Sequence, residues 1–150
     1  MLVEFMKSNR NPTEEEILII SFLATKANYS HNNWEKGLKV VEMNDGGMGS
    51  LLLMPVGQVN TKRLFKAQIS DVIFKDLDGI DVIVSLNIDQ DDFLYELDVW
   101  KVNYDKLISF DNLLNFIKER QSSERPTDNH IKNIIVKPIQ EPDGELATQD

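Results

Sequence analysis

Between Ile80 and Asp89 the chain reads IDVIVSLNID, with Ile80, Val82, Val84, Leu86 and Ile88 set against Asp81, Ser85, Asn87 and Asp89. Alternation of period two over that length fits a half-buried strand. Gln90-Asp91-Asp92 separates it from a second run, Phe93–Asn103, in which Phe93, Tyr95, Leu97 and Val99 share one face. Upstream, Lys66–Lys75 is a longer strand of mixed pattern, turned into the first by Asp76-Leu77-Asp78-Gly79. Strands joined by such short turns must be antiparallel neighbours, because parallel pairing needs a long crossover. Leu38–Met43 and Ser50–Met54 add two shorter strands, the second stopped by Pro55.

A sheet with one apolar face requires cover, and residues 11–28, NPTEEEILIISFLATKAN, supply it. Thr13 and Glu16 are spaced as a capping box, with acidic residues in the first turn, where the helix dipole favours them. Ile17, Ile20, Leu23 and Ala24 recur at helical spacing, and Leu18, Ile19 and Phe22 widen the stripe. FDNLLNFIKERQ (110–121) reads as a second, shorter helix with Asp111 as its cap. The expected class is therefore α+β: an N-terminal helix packed on a roughly five-stranded antiparallel meander sheet, then a short C-terminal helix and tail. Residues 1–10 are read as an arm, 11–121 as a single α+β domain, and 122–150 as a poorly ordered or loosely docked acidic tail. Within that tail IKNIIVKP (131–138) is apolar enough to add an edge strand.

The formal net charge is −9, and its placement matters more than its size. Asp76, Asp78, Asp81, Asp89, Asp91, Asp92, Glu96 and Asp98 follow one another with no Lys or Arg between them. Such a surface repels phosphate backbones, so nucleic acid is not an expected partner. The chain has no cysteine, which removes disulfides, thiolate metal sites and cysteine nucleophiles together. No stretch approaches the roughly 20 apolar residues of a membrane span. The opening MLVEFMKSNR lacks the order of a secretory signal. A cytoplasmic location without membrane partners is expected.

NDGGMGS (44–50) places Gly46, Gly47 and Gly49 between two apolar runs. A phosphate loop needs a lysine after its glycines and a helix behind it, and a dinucleotide fingerprint also needs the helix. Here a strand follows, so the stretch reads as a hairpin turn requiring positive φ. Three glycines exceed what a hairpin needs. The surplus marks a place where another backbone or a ligand comes close, which makes Asp45 and Gly47 candidates for a functional edge.

ELDVWKV (96–102) puts Glu96, Asp98 and Trp100 together on the face opposite Tyr95, Leu97 and Val99. Two carboxylates beside an indole suit recognition, since tryptophan is enriched where binding energy concentrates. The competing reading keeps the carboxylates solvated, or paired with Lys101 and Lys75, and packs Trp100 under the second helix. Asn87, Asp89 and Asp91 alternate like a calcium loop with Asp98 at the twelfth position, but Asp92 stands where glycine is wanted and strands flank it. His31 lies in an Asn-rich loop and His130 in the tail, at no metal spacing.

With DGGMGSL, then DLDG…VSLNID and FLYELDVWKV, the chain resembles a family of small acidic bacterial proteins of uncharacterised function. The resemblance runs from Thr13 to Ile108 and marks Asp45, Gly46, Gly47, Gly49, Glu96, Asp98, Trp100 and Lys101 as signature positions. It implies the order of elements but no activity. At the level of class, small acidic one-domain proteins occur among toxin-immunity and accessory factors.

These observations favour a non-enzymatic interaction module, of immunity or regulatory type, with a basic protein as partner. The candidate binding residues are Asp45, Gly47, Asp89, Glu96, Asp98 and Trp100, and no cofactor, catalytic residue or metal ligand is assigned. The alternative is a carboxylate-based enzyme, divalent-metal-dependent in one version, centred on Asp45, Asp89, Glu96 and Asp98. Oligomeric state does not follow from the residues.

Overall fold

The computed structural model describes residues 8–56 and 62–123. The first helix, α1, spans Glu14–Lys26. Thr13 caps it reciprocally: the Glu16 N–H donates to the Thr13 hydroxyl at 3.1 Å, and the Thr13 N–H donates to the Glu16 carboxylate at 2.9 Å. Asn28 stops the helix in the left-handed conformation, at φ 57°. Five strands follow: β1 (Lys39–Glu42), β2 (Leu51–Met54), β3 (Phe65–Lys75), β4 (Asp81–Asp89) and β5 (Leu94–Lys101). The second helix, α2, spans Asp111–Ser123.

The α+β class holds, with all five strands antiparallel in one open sheet. Their order is β1-β2-β5-β4-β3. Only β3, β4 and β5 form a meander. The β1–β2 hairpin joins along β5, through Leu51 opposite Leu97 and Leu52 opposite Glu96. The physical reason is visible in the strands themselves. The connection between β2 and β3 is long enough to cross the sheet, whereas those around β4 are tight. β3 also exposes Phe65, Lys66, Gln68, Ile73 and Lys75, which suits an edge.

α1 packs on β3 and β4 and buries Ile19, Ile20, Leu23 and Ala24. The covered sheet face carries Leu51, Leu53, Val82, Val84, Leu86, Leu97 and Val99, all buried. A β-bulge alters the expected pattern on β5. Ile88 pairs with Leu94 while Asn87 pairs with Glu96, so Tyr95 is the extra residue. Leu94, not Tyr95, therefore enters the core and is fully buried. Asp111 is not the cap of α2 but its first residue; its N–H donates to the Ser109 hydroxyl at 2.9 Å.

The chain divides into two compact units, Met1–Asn115 and Phe116–Asp150, with the boundary inside α2. The sheet and α1 belong to the first. In the second, the Arg120 guanidinium lies 5.5 Å over the Phe116 ring. Ser122 and Ser123 complete α2, and the rest of the expected tail, with IKNIIVKP and His130, lies outside the described residues, as does most of the arm. No described helix is long and apolar enough to cross a membrane.

Candidate interaction face

Two groups of residues, far apart in sequence, hold one segment in place. The glycine stretch is the β1–β2 loop, as the hairpin reading requires, and Gly46, Gly47 and Gly49 all have positive φ (76°, 85° and 99°). Asp45 organises it from within, accepting from the Met48 N–H at 3.1 Å and the Ser50 N–H at 2.9 Å. The Gly47 carbonyl accepts from the Leu107 N–H at 3.1 Å. A Cβ on Gly47 would stand 3.0 Å from the Lys106 side chain, and one on Gly49 would stand 3.4 Å from the Phe110 ring. The surplus glycines thus make room for the side chains of Lys106, Leu107 and Phe110, in the link from β5 to α2.

Lys101 holds the same link from the other side. It occupies an inward position on β5, in register with Val82, and is buried. Its ammonium donates to Asp76 at 2.9 Å, Asp78 at 2.7 Å and the Lys106 carbonyl at 3.2 Å, which uses all three protons. Asp76 also accepts from the N–H groups of Ile108 at 2.8 Å, Ser109 at 3.1 Å and Leu77 at 2.7 Å. Burial alone would raise the Asp76 carboxyl, but the Ile108 N–H, the Lys101 ammonium and the other donors hold it below its ordinary value. Burial likewise works against the Lys101 ammonium, and the two carboxylates outweigh it, holding its pKa above the ordinary value. Lys101 therefore does not neutralise the acidic strand face; it serves the opposite side.

Asp89 belongs to a separate buried pair. Its side chain is fully buried and meets the Arg63 Nε at 2.8 Å. The other carboxylate oxygen accepts from the Asp91 and Phe93 N–H groups at 2.8 and 3.0 Å, closing the β4–β5 turn. Arg63 donates onward to the Leu53 and Leu94 carbonyls at 2.7 and 2.6 Å and lies 5.0 Å over the Tyr95 ring. Asp89 is thereby engaged by Arg63 and by the turn. Among the described residues no group of three or more histidine or carboxylate side chains is placed to hold a metal ion.

The sheet face away from α1 is laid out in rungs by the register, with Ser85 and Asn87 buried on β4 and Ile73, Asp98 and Trp100 exposed on the strands flanking it. Ile73, Ile83 and Trp100 form one, Asp71, Ser85 and Asp98 the next, and Asn87 with Glu96 and Leu52 a third. Ile73 is 61% exposed and Trp100 is 37% exposed, with Tyr104 tilted against the indole at 5.9 Å. Glu96, Asp98 and Trp100 thus share one face, as the alternation requires. Lys75 pairs with Asp81 at the end of the face, but among the described residues no cation pairs with Asp45, Glu96 or Asp98. Burial pushes the Asp98 carboxyl above its ordinary value, and the nearby charge of Asp45 adds to the shift. Asp45 itself is held below its ordinary value: burial opposes this, but the hydrogen bonds from Ser50 and Met48 prevail. Asn87 donates to Glu96 at 3.2 Å, while its own carbonyl oxygen is buried and meets no donor. Leaving such an acceptor unpaired costs about 1–3 kcal/mol.

Residues 9–111 match a family described as a domain of unknown function, DUF6984. The chain belongs to that family. The match takes in α1, the whole sheet and the 104–110 link, and ends at the first residue of α2, close to the Thr13–Ile108 span of the sequence resemblance. No curated protein and no solved structure matches the chain. Within the family domain, the glycine loop and Lys101 act in the fold, while Glu96, Asp98 and Trp100 lie on the sheet face away from α1.

Sequence reasoning missed Arg63 and the pairing of Lys101 with Asp76. A signal existed for the second: after Leu97 and Val99, Lys101 falls on the apolar face, where a charge demands a buried partner. Arg63 carried no such signal, since it lies in a connection without periodicity.

Proposed function

We propose that the protein is a non-enzymatic interaction module that binds a basic protein through the sheet face bearing Glu96, Asp98 and Trp100. The supporting observation is the contrast between this face and the other acidic strand positions. Asp76, Asp78, Asp81, Asp89 and Asp92 each have a cation beside them, whereas among the described residues Glu96 and Asp98 on the strand, and Asp91 in the β4–β5 turn, have none. Charge left without a partner, beside exposed apolar side chains, suits docking of a cationic surface. Such complementarity sets encounter rate and selectivity more than affinity. An immunity-type or regulatory role in the cytoplasm accords with this chemistry. The enzymatic alternative draws less support, because the Asp89 carboxylate is buried and bound by Arg63.

The test is a tagged capture at low and high salt, run with the wild type, Asp98→Asn and Trp100→Ala. The expected result is a basic protein retained at low salt, released at high salt, and lost with either substitution. Retention indifferent to both substitutions removes the face from the reading.

A further inference from the structure

Resting on that reading of the face, we infer that the cation it receives is an arginine side chain, seated between Asn87 and Glu96. Three observations converge. Asn87 and Glu96 stand opposite each other in the β4–β5 register, on the face that α1 does not cover. Asn87 is 7% exposed, and its carbonyl oxygen has no donor. Glu96 accepts from the Asn87 amide at 3.2 Å and has no ion-pair partner among the described residues. The pair therefore offers acceptors side by side and lacks a donor that could serve both. A guanidinium is a planar fork of five N–H groups and can give one to the amide oxygen and others to the carboxylate. An ammonium is a compact point charge that satisfies the carboxylate but is poorly shaped to bridge the two.

The surroundings set what else the partner carries. Along β5 the next residue on this face is Asp98, and beyond it stands Trp100, with Ile83 and Ile73 beside it in register. Four residues of strand place the Trp100 rung about 13 Å from the Glu96 rung. The partner segment thus bears an arginine and, about that far along, an apolar side chain to cover Ile73, Ile83 and Trp100. Asp98 and Asp45 favour further positive charge between them. On docking, the Asn87 side chain turns its oxygen outward to meet the arginine.

Two synthetic peptides test this, identical in leucine positions but with every cation arginine in one and lysine in the other. Trp100 reports binding by fluorescence, with Trp34 buried as an internal reference. The arginine peptide is expected to bind about tenfold tighter, the advantage of a charge-assisted bidentate contact. Asn87→Ala and Glu96→Gln should each reduce that preference to less than about twofold while the lysine peptide still binds. Near-ultraviolet circular dichroism checks that both variants keep the fold, and Glu96→Gln, which preserves shape, decides the matter if Asn87→Ala does not. Equal affinity for both peptides, with binding still lost in Asp98→Asn and Trp100→Ala, overturns the arginine seat and leaves the acidic face standing. Binding of neither peptide overturns both. A preference for arginine unchanged in Asn87→Ala and Glu96→Gln overturns the assigned seat.

Discussion

Replacing Arg63 by methionine keeps an apolar stem and removes the guanidinium, which tests the energetics of the buried pair. In the wild type the guanidinium holds the Asp89 carboxylate at 2.8 Å and also donates to the Leu53 and Leu94 carbonyls. Asp89 is fully buried, so the substitution removes the cation that faces its carboxylate while the Asp91 and Phe93 N–H groups stay in place. Removing one member of a buried pair costs about 3–5 kcal/mol, most of it the penalty on the charge left behind. The two carbonyls add about 1 kcal/mol each, partly counted already in that figure. A loss near 4 kcal/mol follows, and at roughly 4 °C per kcal/mol for a domain of this size the melting temperature falls about 16 °C. Urea denaturation of Arg63→Met, Asp89→Asn and the double variant measures it. Asparagine can still accept from both turn N–H groups and carries no charge, so the double variant should be more stable than Arg63→Met alone. A loss below about 1 kcal/mol for Arg63→Met would refute the reasoning. So would a double variant no more stable than the single one, because the isolated charge would then not be the cause.

Asp98 is pushed up by burial and by Asp45, so its ionisation works against the fold above the ordinary carboxyl value of 3.8. Asp98→Asn should therefore raise the melting temperature at pH 7, with the gain vanishing below that value; a loss at pH 7 contradicts the assignment. Asp76 carries the opposite sign. Its carboxyl lies below the ordinary 3.8, so its contribution is present above that pH and lost as the pH falls through its lower folded value. Asp76→Asn should destabilise at pH 7 and approach the wild type in strong acid, as followed by thermal melts across pH. In the glycine loop, Gly46→Ala meets no neighbouring atom and should cost only the left-handed backbone penalty of about 1–2 kcal/mol. Gly49→Ala combines a φ of 99° with a contact to the Phe110 ring and should cost more. Equal values in chemical denaturation would mean that Phe110 does not press on the loop.

The sequence by itself determined what depends on neighbours along the chain. Thr13 and Glu16 start α1 because a capping box needs only a spacing of three. The alternation from Ile80 to Ile88 assigned the two faces of β4, and Asp76–Gly79 made its turn, since side-chain direction in a strand follows from period two. The same rule put Glu96, Asp98 and Trp100 on one face. Tertiary structure decided everything that required knowing which remote groups meet. It seated β5 rather than β3 beside β2, because a long connection leaves strand order free. One extra residue at Tyr95 exchanged the expected core side chain for Leu94, and no alternation rule locates a bulge. Asp76 and Asp89 look in the sequence like members of an acidic run, yet each is buried against a cation, 25 residues away for Asp76 and 26 for Asp89. Charge is additive along a chain, but whether a carboxylate faces water or a buried ammonium or guanidinium depends on the packing around it. Of the eight carboxylates between Asp76 and Asp98, five have a cation beside them, Asp91 lies in the β4–β5 turn, and Glu96 and Asp98 are the two left on the strand face.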